Sequence, residues 1–531
     1  MPARPHRPQL GRRDRGARMT AGTAPGTTSG DFGRHAARGA AVTMVGQLTR
    51  ILVQVVSVVV LARFLTPNDY GLFAMVMAVV GVSEIFRDFG LSNAAIQAKT
   101  LSHRQRDILF WANSGIGIAL GAVIFGLAYL IAALYGRPEL VPLAQFMGLA
   151  FLLNGVCTQH RASLSRALRF TTLAVVDVAA SVIALAVAIV FAVLGAGYWA
   201  LAWQMVTLSL ATLVLVLAAS RWLPRLPKRG VDMRGFYRFG WNMVATQLVG
   251  YAANNTDSFV IGLRLGPAPL GIYSRGFQLL MNPLNQLRAP VTRVAIPVLS
   301  RIQDQQARFD SYIVRGQVAL GYTLVAGLGL VAGAAEPIVA LGLGERWLEV
   351  APVLRFLTVA GAFQTLALVG YWVYVSKGLT ARLFQFTLMS AALKITFVLI
   401  GSNWGVVGVA AGFALEPVVS WPLSLWWLNR WAPIPIRTLL LGVVRLSLLT
   451  LSAGAAAYGA TVFATAGGTI LQILAAIVAD LAVYALAALL VPAVRRDLRL
   501  VLDIVRAARR SKTPPVVSPE PDGPADDGSL A

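Results

Sequence analysis

Cysteine is almost missing: Cys157 is the only one in 531 residues. That excludes an internal disulfide and a cysteine-based metal cluster, and it leaves the redox compartment open. Histidine is equally scarce. His6, His35, His103 and His160 fall in tails or loops and never gather in one apolar segment. No metal-ligand spacing, nucleotide-binding loop or nucleophile motif appears, so no metal or other cofactor is expected, and an ion gradient or downhill flow is the expected energy source. Charged residues make up 13% of the chain, about half the share of an ordinary soluble domain.

What is abundant is apolar: 57% of the residues. A helix needs about 20 mostly apolar residues to cross the hydrocarbon layer. Fourteen such segments can be counted, with cores near 41–61, 70–88, 109–134, 141–158, 172–194, 198–219, 240–262, 271–292, 316–341, 351–374, 382–400, 405–428, 438–459 and 468–491. The expected fold is therefore an all-α polytopic membrane protein.

The net charge of +23 would point to nucleic acid in a soluble chain. Here the basic residues lie between apolar segments, where the positive-inside rule puts them. With the N-terminus inside, 36 of the 46 Lys and Arg residues fall on that side, four fall outside (Arg63, Arg137, Arg264 and Arg346) and six lie within spans. Both termini are thus expected in the cytoplasm. The first 38 residues carry eight arginines among Pro, Gly and Thr and lack the apolar core of a signal peptide, so they read as a disordered basic tail. Residues 495–531 read as a second cytoplasmic tail.

An internal repeat organises the rest. Leu65-Thr66-Pro67-Asn68-Asp69-Tyr70-Gly71-Leu72-Phe73 returns 200 positions later as Leu265-Gly266-Pro267-Ala268-Pro269-Leu270-Gly271-Ile272-Tyr273. A Pro and a Gly four residues apart between apolar runs predict a tight hairpin joining two helices. Gln47-Leu48 meets Gln247-Leu248 and Ala95-Ile96 meets Ala295-Ile296 at the same offset, while Ser165-Arg166-Ala167-Leu168 meets Ser376-Lys377-Gly378-Leu379 at 211. The pattern predicts an internal duplication. It comprises two six-helix lobes in parallel orientation, 39–219 and 236–430, joined by a basic, Pro-rich linker at 220–235 and followed by two further helices in 431–494.

Ionisable groups within the spans are the functional candidates, because a charge there costs at least ~2.5–3.5 kcal/mol and turns toward a bundle interior or a cavity. Arg50, Arg288, Lys394 and Arg275 are candidate cavity cations, and Glu84, Asp257 and Glu416 are ion-coupling or charge-partner candidates. Arg275 and Arg288 are 13 residues apart, about 140° off one helix face, so they share a cavity only if the helix bends at Pro283. Arg355 and Arg445 are placed to snorkel, and Asp480 is a further intramembrane acid. A cationic lumen suits a phosphate-bearing cargo, since Arg makes bidentate bonds to phosphate oxygens.

Leu65-Thr66-Pro67-x-x-Tyr70-Gly71-Leu72-Phe73, the Asp257 to Gly262 segment Asp-x-x-Val-Ile-Gly, Leu270-Gly271-Ile272-Tyr273 and Ile296-Pro297-Val298-Leu299-Ser300 resemble the polysaccharide transporters of the multidrug/oligosaccharidyl-lipid/polysaccharide (MOP) superfamily over roughly residues 36 to 430. The resemblance implies an O-antigen or exopolysaccharide flippase of the bacterial plasma membrane. It further implies two lobes in a V around a central cavity, alternating access, and export of an undecaprenyl-pyrophosphate-linked oligosaccharide. Partners would include membrane lipids and, in the pathway, a polysaccharide polymerase and glycosyltransferases, with no nucleic acid. The family has no catalytic residues to carry over, so an enzyme is not expected. Its cationic lumen is a trend that Arg50, Arg288 and Lys394 would continue. The alternative is a cation- or proton-coupled multidrug antiporter of the same superfamily. A glycan polymerase or acyltransferase would be expected to carry a large external loop, which this sequence lacks.

Overall fold

The computed structural model describes the backbone of residues 29–88, 102–226, 251 and 255–510, and the helical segments leave no strand among them. In order these are α1 (Ser29–Phe64), α2 (Pro67–Asp88), α3 (His103–Tyr135), α4 (Leu140–Arg166), α5 (Phe170–Val193) and α6 (Trp199–Ser220). After α7 (residues 255–264) come α8 (Pro267–Arg301) and α9 (Gln306–Gly333), the latter interrupted by a π turn at Gly321–Val325. The chain continues through α10 (Ala335–Gly342), α11 (Val350–Ser376), α12 (Thr380–Gly401), α13 (Gly405–Asn429), α14 (Ile436–Phe463), α15 (Gly468–Leu490) and α16 (Pro492–Arg510).

Among the described residues, ten stretches are long and apolar enough to cross a membrane, so the count of fourteen is not confirmed. One of the ten, Thr380–Asn429, takes in both α12 and α13. Several helices extend past their apolar cores. α1 starts at Ser29 and carries Arg34 and Arg38, α8 runs on through Arg293 to Arg301, and residues 495–510 belong to α16. The expected tails at 1–28 and 511–531, and most of the linker at 220–235, lie outside the described residues.

Both halves pair their helices alike. α3 packs on α4, α4 on α6 and α5 on α6; correspondingly α9 packs on α11, α11 on α13 and α12 on α13. α14 and α15 pack on each other, and α14 also packs on α9. The second repeat match is also a turn in three dimensions. α4 closes with Leu168 at φ 55° and α11 with Gly378 at φ 71°. Their helix-closing bonds, Arg169 N to Leu164 O at 3.0 Å and Leu379 N to Tyr374 O at 2.8 Å, are those of left-handed helix ends. The structural equivalence is offset by 210, one residue off the sequence match.

The Leu65 motif is the start of α2. Pro67 occupies the first turn, where a missing N–H costs nothing. Thr66 and Asp69 close the end reciprocally: Thr66 N donates to Asp69 Oδ2 at 2.9 Å, and Asp69 N to Thr66 Oγ1 at 3.3 Å. In the second copy Gly266 adopts φ 91° before Pro267, a conformation that favours glycine.

The two copies meet. α2 lies directly on α8, and a Cβ added at Gly71 would stand 1.8 Å from the Pro267 carbonyl oxygen, while one at Gly271 would stand 1.8 Å from that of Pro67. Two backbones approach this closely only where side chains are absent. One buried cluster continues through the crossing, from Leu61 and Met75 by way of Met147 to Tyr273, Trp347 and Phe413. A second, with Leu299, Phe309, Trp372, Trp421 and Leu439, joins α8, α9, α11, α13 and α14.

Gly71→Ala and Gly271→Ala should therefore each lower the unfolding temperature of the purified protein in detergent, since overpacking costs about 1–3 kcal/mol. Gly126→Ala on α3 is the control: a Cβ there meets nothing within 4 Å, and helix propensity alone favours Ala by up to about 1 kcal/mol. An equal response of all three variants would contradict the crossing.

Candidate functional site

The α2–α8 crossing seals one end of a seam between the two halves. Around it, Trp347 donates its indole N–H to Ala62 O at 2.9 Å and meets Tyr70 edge-on at 5.4 Å between ring centroids. Arg63 donates to Leu341 O at 2.5 Å, and Asp69 Oδ1 accepts from Tyr198 N at 3.1 Å. Every one of these contacts except the last joins the first half to the second.

Beyond the seal the seam opens into a cavity of about 470 Å³. One wall is α2, with Tyr70, Phe73, Met77 and Gly81; the other is α7 and α8, with Ser258, Ser274, Arg275 and Gln278. Its far end is bridged by Tyr251, whose hydroxyl donates to Met77 O at 3.1 Å and Ala78 O at 3.2 Å. Gly81 makes room for that phenol, since a Cβ there would stand 2.1 Å from its oxygen. Gly71 and Gly81 are ten residues apart, about 15 Å along α2.

Among the described residues, Arg275 is the cation of this cavity. It is 6% exposed, with its guanidinium 3.6 Å above the Tyr70 ring. A desolvated cation–π contact contributes about 2 kcal/mol, which offsets part of the cost of burial. Arg275 Nε has no hydrogen-bond partner among the described residues. The guanidinium is therefore held against the ring with its Nε both buried and unbonded.

Arg288 lies elsewhere, as the 13-residue spacing requires. It is buried against α11, donating from Nε to Thr365 Oγ1 at 2.9 Å and from Nη2 to Gly361 O at 2.5 Å. Its third nitrogen, Nη1, donates to Asn285 Oδ1 at 3.0 Å and Gln364 Oε1 at 3.5 Å. α8 holds three prolines, Pro283, Pro290 and Pro297, yet Arg275 and Arg288 still face different neighbours.

Lys394 and Asp257 come together. Lys394 Nζ on α12 stands 3.8 Å from Asp257 Oδ1 on α7 and 4.7 Å from the Phe413 ring centroid. Asp257 Oδ2 accepts from the Tyr273 hydroxyl at 2.5 Å. One turn from Lys394, Ser390 donates to Glu416 Oε1 at 2.5 Å, tying α12 to α13. Arg50 is exposed on α1, one turn from Gln47, whose amide crosses to Gln286 of α8 at 2.8 Å. The side chain of Glu84 lies outside the described residues, as does Asn254.

The remaining intramembrane charges have local partners or local burial. Arg355 pairs with Glu336 at 2.9 Å, and Arg445 pairs with Asp497 of α16. Asp480 is buried on α15 with Oδ1 unbonded among the described residues. Sequence reasoning missed Tyr70, Tyr251 and Tyr273. Two of these stand inside the repeated nonapeptide, so the repeat itself was the available signal.

The buried pair yields a prediction. Lys394→Met should destabilise strongly, by about 3–5 kcal/mol, because it leaves Asp257 charged and unpaired. The double variant Asp257→Asn with Lys394→Met should recover most of the loss in a thermal unfolding assay. Additive losses would show that the two groups do not depend on each other.

Comparison with known proteins agrees with this architecture. A family model described as "Polysaccharide biosynthesis protein" matches residues 60–352. The chain is 27% identical over 379 residues to the Lipopolysaccharide biosynthesis protein WzxC of Escherichia coli (strain K12), covering 70% of this chain and 76% of that one. It is 26% identical over 311 residues to the Succinoglycan biosynthesis transport protein ExoT of Rhizobium meliloti (strain 1021), covering 58% and 63%. The fold matches that of the lipid II flippase MurJ in an inward closed conformation with a TM-score of 0.62 at 14% identity, over 84% of this chain and 98% of that one. With more than half of its length matched by one family model, the chain belongs to the polysaccharide biosynthesis protein family.

Proposed function

We propose that this protein moves a lipid-linked oligosaccharide, carried on undecaprenyl pyrophosphate, across the bacterial plasma membrane for assembly of a surface polysaccharide. The observation that carries this reading is the cavity at the seam between the two halves, with Arg275 buried in its wall and a donor unspent. Family membership and the flippase-like fold support it. The chain acts as a transporter and not as an enzyme, with both termini in the cytoplasm and the two lobes bounded near residues 39–219 and 236–430.

In this reading the α2–α8 crossing lies on the outer side, and the present conformation is closed there. The diphosphate enters from the cytoplasmic side and meets Arg275, which keeps its charge in a low dielectric and bonds phosphate oxygens directionally. Rocking of the halves about the crossing then opens the outer end. Arg288 and the Lys394–Asp257 pair stiffen the second half, because their donors are engaged by α11, α7 and α8; Arg50 stands at the exposed approach. Glu84 and Glu416 remain the proposed ion-coupling carboxylates. Glycosyltransferases would supply the cargo and a polymerase would take it.

Purified protein in liposomes should transfer a fluorescent undecaprenyl-pyrophosphate oligosaccharide between leaflets. Arg275→Ala should slow that transfer roughly ten- to a hundredfold, the equivalent of one charge-assisted hydrogen bond, at unchanged protein level. Full transfer by the variant would remove Arg275 from the mechanism. Movement of cationic drugs with no movement of the glycan lipid would instead establish the antiporter alternative.

A further inference from the structure

α16 is a helix that the transport reading does not use. It begins at Pro492, two residues after α15 ends at Leu490, and α15 belongs to an apolar span. The first turns of α16 therefore stand at the level of the lipid headgroups, next to the exposed side chains of Leu489 and Leu490.

Its rotation is fixed from one side. Val494 and Asp497 are buried, and Asp497 is held by Arg445 of α14 and by the Tyr322 hydroxyl, which donates to its Oδ2 at 3.2 Å from within the π turn of α9. With that face inward, Arg495, Arg496 and Arg499 point outward. Arg495 crosses back to the last carbonyls of α15, donating to Ala488 O at 3.0 Å and Leu489 O at 2.7 Å. Together with Arg315 of α9 these arginines line a cleft of about 700 Å³. Among the described residues the one carboxylate in its wall is Asp503, which already pairs with Arg506 at 3.8 Å. Among the described residues, Arg315, Arg496 and Arg499 meet no carboxylate.

We infer that this cleft binds the phosphate of anionic membrane lipids. A guanidinium cluster at headgroup level attracts such lipids with roughly a fivefold gain per arginine near the surface, and the planar guanidinium fits phosphate oxygens. The cleft shares no lining residue with the cavity that holds Arg275, so it is separate from the proposed cargo path. Lipid bound there would brace α16 against α9 and α14, in the second half of the molecule.

The test uses the full-length protein in detergent, titrated with phosphatidylglycerol or with phosphatidylcholine, with lipid adducts read by native mass spectrometry and unfolding temperature read in parallel. Phosphatidylglycerol should bind roughly tenfold or more tightly than phosphatidylcholine, and the preference should shrink at high salt. The triple variant Arg315→Gln, Arg496→Gln, Arg499→Gln should lose it, and the corresponding triple Lys variant should keep most of it. An undiminished preference in the Gln variant would overturn the inference, as would displacement of the lipid by inorganic phosphate at equal concentration. The readout is lipid binding alone, so failure of the transport proposal would leave this result standing.

Discussion

Everything else in the structure depends on two backbones touching. At Gly71 and Gly271 each helix start lies against the proline carbonyl of the other copy, so the two halves meet here backbone to backbone. A side chain at either position would force the helices apart by the width of a methyl group. Tyr70 would then lose its edge contact with Trp347, and Arg275 its stacking on Tyr70. The crossing thus fixes the geometry of the seam on one side and leaves it free to part on the other.

The same nonapeptide supplies the chemistry. Tyr70 of the first copy carries the cavity arginine, and Tyr273 of the second donates to Asp257. Tyr70 and Tyr273 stand at different positions in the repeat, so the duplicated hairpin has diverged in function while keeping its shape. One tyrosine offers a ring face to a cation at the seam. The other offers a hydroxyl to a carboxylate inside the second half, where Lys394 completes the charge balance.

Much of this was legible in the residues. The apolar segments, the repeat and the distribution of arginines led to an all-helical membrane protein with paired halves, because hydrophobic length and local breakers are encoded where they act. Among the buried charges, the sequence marked Asp257, Arg275, Arg288, Lys394, Glu416 and Asp480 without their partners, and it passed over Asp107 and Asp497 at the helix ends. Arg288 and Arg275 looked alike as arginines in one span, yet neutral acceptors surround the first and an aromatic face with a cavity beside it meets the second. That difference is made by α11 and α2, which are remote in sequence. Helix ends were the other loss: α8 runs past its apolar core to Arg301, and an amphipathic helix, α16, occupies Pro492–Arg510 where a tail was expected.

With one end of the seam so tightly packed, the halves part more easily elsewhere along it. Beyond the crossing, α2 meets the second half through Tyr251, whose hydroxyl shares itself between two carbonyls, and through cavity-lining side chains with open space between them. Bonds of this kind exchange for water at little net cost, since each contributes only about 0.5–1.5 kcal/mol. The glycine crossing, by contrast, excludes water altogether. Among the described residues, the contact along α2 thus passes from a dry backbone crossing at Gly71 to a shared phenol hydroxyl at Gly81, and the second exchanges for water more readily than the first.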